Sequence, residues 1–388
     1  LYRPGGHETW PTVIERYIDW CDAQFGRGAY AFPERLIHPY DWETWRARAR
    51  TAPDPAAYPE RTIDELMHDM WAGHSARESF PEYRDEIRAH VRALLGSPPP
   101  KAANPGGDYG KEPAHIETLL NRAVPGARLQ KQDLVFGEYI NADVYAPHKL
   151  DLETGRAPAV LWLHPVSCAR GYVMGYRRGE HPFATVARAG FAVFCYDQIG
   201  FGRRIEEVEG FYDRYPDWSL LGKMVRDARS ALDVLCALPY VDASKVYVVG
   251  YGLGAMVGLH LCALDDRPAG LLALSPPTPF RAEDGLRRWS RDWLLAPQLG
   301  CFLGREQRLP YDIPSLVTAC APKPVALVTA QLDWDSPPAH AAGVLEAARP
   351  VYALFDADEA LVHLVPEDYN RFDEAMQAVV VDWLRRLE

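Results

Sequence analysis

Residues 246–255 read VYVVGYGLGA. A short apolar run rich in β-branched residues ends in Gly-Tyr-Gly-Leu-Gly, and the residues after it read as a helix. This is the outline of a nucleophile elbow, G-x-S-x-G, with glycine at the position of the serine. Gly252 has no side chain and therefore no nucleophile. Its plain reading is a residue that relieves strain at a tight turn.

Working outward, similar short runs recur along the second half of the chain. They are APAVLWLHP, FAVFCYDQ, KVYVVGY, GLLALSP, PVALVTAQ and PVYALFDA. Helical stretches fall between them at 217–238, 253–264 and 371–387. Continuous apolar strands separated by helices predict an α/β fold, a mostly parallel central sheet with helices on both faces. In such sheets ligands bind beyond the carboxyl ends of the strands.

Upstream, LQKQDLVFGEYINADVYAP alternates like a hairpin. Residues 1–100 read as a helical N-terminal extension. TIDELMHDMW opens with Thr62 and has Glu65 three residues on, a capping box. SPPPKAANPGGDYG is rich in breakers and places a linker over 101–127. The domain of interest spans 128–388, with 280–320 as an inserted rim or lid. The N-terminal helices are suited either to covering the pocket or to building a homodimer.

The chain has 388 residues, a net charge of −11 and an ordinary apolar content of 48%. An acidic surface argues against nucleic acid or an anionic membrane as partner. No apolar run approaches the ~20 residues of a membrane span. The seven cysteines are scattered and form no C-x-x-C, so buried free thiols are expected. No metal-ligand spacing occurs, and no cofactor is expected. Nothing in the sequence assigns a compartment.

Four stretches together resemble the α/β-hydrolase superfamily, and look most like its acetyl-xylan-esterase and dienelactone-hydrolase branch. They are residues 164–204, VVGYGLGA at 248–255, VTAQLDWDSPP at 328–338, and YNRFDEAMQAVVVDWL at 369–384. The resemblance implies a triad of nucleophile, base and acid. Asp333 matches the acid, with Asp335 as competitor; the plain reading of Asp333 is a turn carboxylate before prolines. Asn370, 13 residues before Trp383, stands where the branch carries its histidine. His363 is the rival base, although its apolar neighbours suit a structural residue. Two altered triad positions argue against serine hydrolysis.

The remaining candidates lie on strand-end loops. His164, Ser167, Cys168, Arg170 and Tyr172 follow the first run, and Gln198, Arg203 and Arg204 follow the second. Tyr251 and Leu253 flank the elbow, and the backbone of Leu253 would supply an oxyanion donor. Arginines and a helix N-terminus favour a small ligand with an anionic group, a carboxylate or a sugar acid. Pairing of Arg203 and Arg204 with nearby glutamates is the competing reading. Trp289 and Trp293 are placed at the rim.

These features predict a degenerate hydrolase-fold protein that binds a small anionic or sugar-like ligand. Two alternatives stay open. One is a lyase or isomerase with His363 or His164 as base; the other is a carbohydrate or acyl esterase, should serine be native at 252.

Overall fold

The computed structural model describes residues 11–28, 41–72, 76–98, 121–124, 129–173, 179–282 and 284–388. Nine strands form one sheet. They are β1 Asn121–Val124, β2 Leu129–Phe136, β3 Ile140–Pro147, β4 Ala157–Leu163, β5 Ala192–Tyr196, β6 Val241–Tyr251, β7 Gly270–Leu274, β8 Val325–Val328 and β9 Leu361–Leu364. The order is β1-β2-β3-β5-β4-β6-β7-β8-β9. Strands β1 to β3 pair antiparallel with one another, and β3 pairs antiparallel with β5. From β5 to β9 every pair is parallel. The apolar runs are continuous because both faces of this parallel part are covered.

One prediction fails. PVYALFDA is not a strand: it closes the helix that runs Pro338–Ala353, and the last strand is Leu361–Leu364, in the run around His363. Val351 and Tyr352 are fully buried there, and a short apolar run reads alike in a buried strand and a buried helix. Strand β1 also falls inside the stretch read as linker. The rest of that linker lies largely outside the described residues.

Helices α1 Pro11–Gln24, α2 Trp42–Arg48, α3 Ile63–Ala72 and α4 Phe80–Leu95 make up the described N-terminal part. The capping box is present: Thr62 N donates to Glu65 Oε2 (2.8 Å) and Glu65 N to Thr62 Oγ1 (3.1 Å). Helices α5 Pro182–Arg188, α6 Phe211–Arg214, α7 Leu220–Ala237, α8 Leu253–Leu264, α9 Ile313–Ala319, α10 Pro338–Ala353 and α11 Glu374–Arg386 follow.

Two hydrophobic clusters lie on the sheet's two faces. One joins α7, α8, α9 and α10 to Trp45, Leu66, Tyr83 and Val91 of the N-terminal helices. The other joins α5 and α11 through Phe183, Val380 and Trp383. Helices α2, α3 and α4 are thus built into the main core. Tyr83 Oη bonds Thr318 Oγ1 (3.0 Å), Trp45 Nε1 donates to the Pro216 carbonyl (2.9 Å), and Arg88 Nη2 meets Asp266 (2.7 Å).

Candidate functional site

The elbow is present in its geometry. Gly252 has φ 55° and ψ −110°, a conformation that side chains resist, and it precedes α8. Gly252 N donates to the Leu274 carbonyl (2.9 Å), which ties the turn to β7. The flanking glycines are there for space. A Cβ on Gly254 would lie 1.9 Å from the Leu163 carbonyl oxygen, and one on Gly250 would lie 2.2 Å from the Gly254 carbonyl oxygen. Gly252 differs: a Cβ there would meet only Pro165 Cβ, at 3.5 Å, an ordinary contact.

A cavity of about 380 Å³ opens above the elbow. Tyr251, Gly252 and Leu253 form part of its wall, with Val166, Ser275, His340 and Asn370. Arg288, Trp289, Trp293, Trp334 and Asp335 also line it. The first N–H groups of α8 have no acceptor within the helix, so that end of the cavity offers donors to an oxygen.

Asp333 is buried. Its Oδ1 accepts from Asp335 N (3.0 Å) and Ser336 N (3.2 Å), the turn role foreseen as the plain reading. Its Oδ2 accepts from Ser275 Oγ at 2.6 Å. Ser275 Oγ in turn accepts from Asn370 Nδ2 (3.0 Å), and Asn370 Oδ1 accepts from Tyr251 Oη (2.6 Å). The chain Tyr251–Asn370–Ser275–Asp333 is therefore directional, with each donor pointing toward the carboxylate.

Asn370 lines the cavity, and His363 does not. His363 sits in β9, where its Nε2 lies 2.8 Å from Thr329 Oγ1 and burial lowers its pKa. Its place is in the sheet ladder beside Leu327.

The other histidine candidate is also structural. His164 is fully buried. Gln198 N donates to its Nε2 (2.9 Å), so the proton is on Nδ1, which donates to the Pro165 carbonyl (2.6 Å). Burial pulls its pKa down to about 4. Gln198 belongs to the same support, its Nε2 donating to the His164 carbonyl (2.7 Å).

Tyr172 is buried and bonds Asp143, away from the cavity. Arg203 N donates to Asp197 Oδ2 (3.0 Å), and Arg203 lies by a separate hollow with Lys131 and Asp143. Arg204 is buried and pairs with Asp227 (3.0 Å) and Glu207 (2.7 Å), so the glutamate of the competing reading is there but the pairing is internal, not on the surface. The Ser167 carbonyl accepts from Arg170 N (3.0 Å), and neither residue lines the cavity. The side chain of Cys168 lies outside the described residues, as do Tyr176, Arg177 and Arg178.

Sequence reading missed Ser275 and His340 as individual site residues. Ser275 carries φ 44°, left-handed for a non-glycine residue, at the carboxyl end of β7. His340 lies in the first turn of α10, and its Nδ1 is buried with no hydrogen-bond partner. At the rim Arg288 pairs with Asp335 (2.8 Å), both half-exposed. Trp289, buried in the main core, and half-buried Trp293 meet edge to face at 5.1 Å in the cavity wall. Among the described residues no group of His, Cys, Asp and Glu is placed to hold a metal ion.

The profile described as "Alpha/beta hydrolase family" matches residues 160–387. The chain belongs to the alpha/beta hydrolase family. A glucuronoyl esterase from Solibacter usitatus superposes with a TM-score of 0.64 at 16% identity, covering 86% of this chain and 100% of that one. A provisionally named acetyl xylan esterase from Bacteroides fragilis superposes with a TM-score of 0.55 at 14% identity, covering 89% and 94%. At these identities the likeness is one of fold. A curated relative, "Polyketide transferase ATR5" of Stachybotrys chlorohalonatus, is 31% identical over 122 residues, 31% of this chain. The match spans 40% of that relative's length.

Two outcomes follow. Gly254→Ala should prevent folding or cost ~3 kcal/mol or more, because its methyl meets backbone. Gly252→Ala should cost less, about 1–3 kcal/mol, the strain of a side chain at φ 55° and ψ −110° with no backbone in its way. Urea denaturation separates them, and equal costs would refute the packing argument. The second outcome concerns His164 and His260. His260 is buried in α8 between the Met256 carbonyl (2.8 Å) and Tyr311 Oη (3.1 Å), and burial pulls it down to about 4 as well. Unfolded, both titrate near 6.5. Between these values the unfolded chain binds more protons, so stability falls as pH drops from about 6.5 to about 4. The loss is roughly 3 kcal/mol per histidine at most. His260→Gln should flatten the pH dependence of the urea midpoint by about half; an unchanged slope would contradict the assignment.

Proposed function

We propose that this chain is an alpha/beta hydrolase family protein that holds a small sugar-like or carboxylate ligand in the cavity and does not cleave esters through a serine. The observation that carries the reading is the hydrogen bond from Asn370 Nδ2 to Ser275 Oγ. Asn370 lines the cavity; its spacing to Trp383 supports reading it at the base position, and an amide there cannot take a proton from a nucleophile. Gly252 offers no nucleophile below it. The acid's free oxygen is already satisfied by Ser275, so Asp333 holds a wall of the cavity instead of orienting an imidazole.

Several features support ligand binding. The cavity keeps the backbone donors of the α8 N-terminus, which need no serine. Trp289, Trp293 and Trp334 line it, and indole rings suit sugar or other flat rings. The carbohydrate esterases with the same fold favour a sugar-related ligand by analogy of fold.

The test is reaction of the unmodified chain with an alkyl fluorophosphonate, read by intact mass, together with turnover of p-nitrophenyl acetate. No adduct and background hydrolysis are expected. An adduct at Ser275, Ser167 or Cys168, with hydrolysis above background, would overturn the reading.

A further inference from the structure

The cavity has two electrically opposite poles. One is the start of α8, where Gly252 and Leu253 form the wall and the first N–H groups of the helix have no acceptor within it. The other is the segment 284–293, which brings Asp284, Gly285, Arg288, Trp289 and Trp293 to the wall.

Asp284 carries the negative charge of this second pole. It is exposed, and among the described residues it makes no hydrogen bond or ion pair. A tight turn sets its place. Gly285 N donates to the Ala282 carbonyl (3.0 Å), and a Cβ on Gly285 would lie 2.2 Å from the Pro279 carbonyl oxygen. The other carboxylate of the wall, Asp335, is already matched by Arg288 at 2.8 Å. His340 apart, the acidic and basic side chains of the wall are therefore two carboxylates and one guanidinium, and the charge of Asp284 is the one left over.

Beside it stand two indoles in contact. The rings of Trp289 and Trp293 are 5.1 Å apart between centroids with their planes at 83°, a right-angled corner. Indole faces carry negative potential and attract a cation within about 6 Å of the ring centroid. One such contact is present at this corner: the Arg288 guanidinium carbon lies 5.7 Å from the Trp293 centroid. The leftover carboxylate and the indole corner belong to one short segment and call for the same partner, an organic cation. A neutral sugar would leave Asp284 unmatched, and a ligand whose only charge is negative would be repelled by it.

We propose that the ligand is a zwitterion, with a carboxylate at the start of α8 and an alkylammonium group in the Trp289–Trp293 corner beside Asp284. The proposal rests on the reading of the cavity as a small-molecule site and adds a positive group to its ligand.

Calorimetric titration at low salt tests it with three probes. They are trimethylammonio-butanoate, the isostere with a quaternary carbon in place of its nitrogen, and methyl β-glucoside. The isostere keeps the shape and the carboxylate and lacks the positive charge. The zwitterion should bind about five- to thirtyfold more tightly than the isostere. Asp284→Asn, at an exposed position, should lower that ratio about two- to fivefold and keep the thermal midpoint. Trp293→Leu should lower it as well, and because the ratio compares two ligands of one variant, a loss of stability does not mimic the effect. An isostere that binds as tightly as the zwitterion, or a ratio indifferent to Asp284→Asn, would overturn the cation and leave the cavity reading intact. Binding of methyl β-glucoside alone would do the same. Binding of none of the three would overturn both.

Discussion

Helix α8 starts so close to the end of β4 that no side chain fits between them. At Gly254 the gap to the Leu163 carbonyl is too small even for a methyl group, and Gly250 leaves equally little room on the β6 side. This contact sets where the helix begins and therefore where its free N–H groups point. The tie from Gly252 N to the Leu274 carbonyl fixes the same turn to β7. The cavity is the space that this arrangement leaves beyond the carboxyl edge of the sheet. None of these contacts depends on a side chain at 252, where a Cβ would meet only Pro165 Cβ at 3.5 Å.

Asp333 is fully engaged within the protein. A buried carboxylate needs hydrogen-bond donors. Asp333 has two backbone N–H groups on one oxygen and the Ser275 hydroxyl on the other. Asn370 and Tyr251 extend the chain to the cavity wall. The order of donors is fixed by the carboxylate, which can only accept. Ser275 keeps a left-handed backbone in this setting, and its bonds to Asp333 and Asn370 offset the cost of about 1–3 kcal/mol for such a residue.

Much of the fold was legible because a strand covered on both faces must be apolar throughout. The runs ending at Leu163, Tyr196, Tyr251, Leu274 and Val328 are all strands. PVYALFDA was misread because its apolar residues carry no period; the run straddles the end of α10, with Pro350 to Ala353 inside the helix and the rest past it. The site was legible where the backbone decides it. Gly252, Tyr251, Leu253 and Asn370 share the cavity, and Asp333 joins them through Ser275. It was illegible where side-chain direction decides it. His164, Gln198 and Tyr172 all stand just past strand ends, yet their side chains turn inward and hold the loops together. Ser275 gave no individual signal, because its role comes from contacts 58 and 95 residues away. His363 and Asn370 are rivals on spacing; Asn370 lines the cavity, whereas His363 faces Thr329 in the sheet.

The central claim is that both the nucleophile and the base are missing from a turn that could still carry them. The direct measurement is p-nitrophenyl acetate hydrolysis by Gly252→Ser alone and by Gly252→Ser combined with Asn370→His. The account predicts a silent single variant and a double variant at least tenfold above it, since general-base help contributes about 10²–10⁴-fold. A single variant as active as the double would show that another histidine serves as base, and would contradict the account.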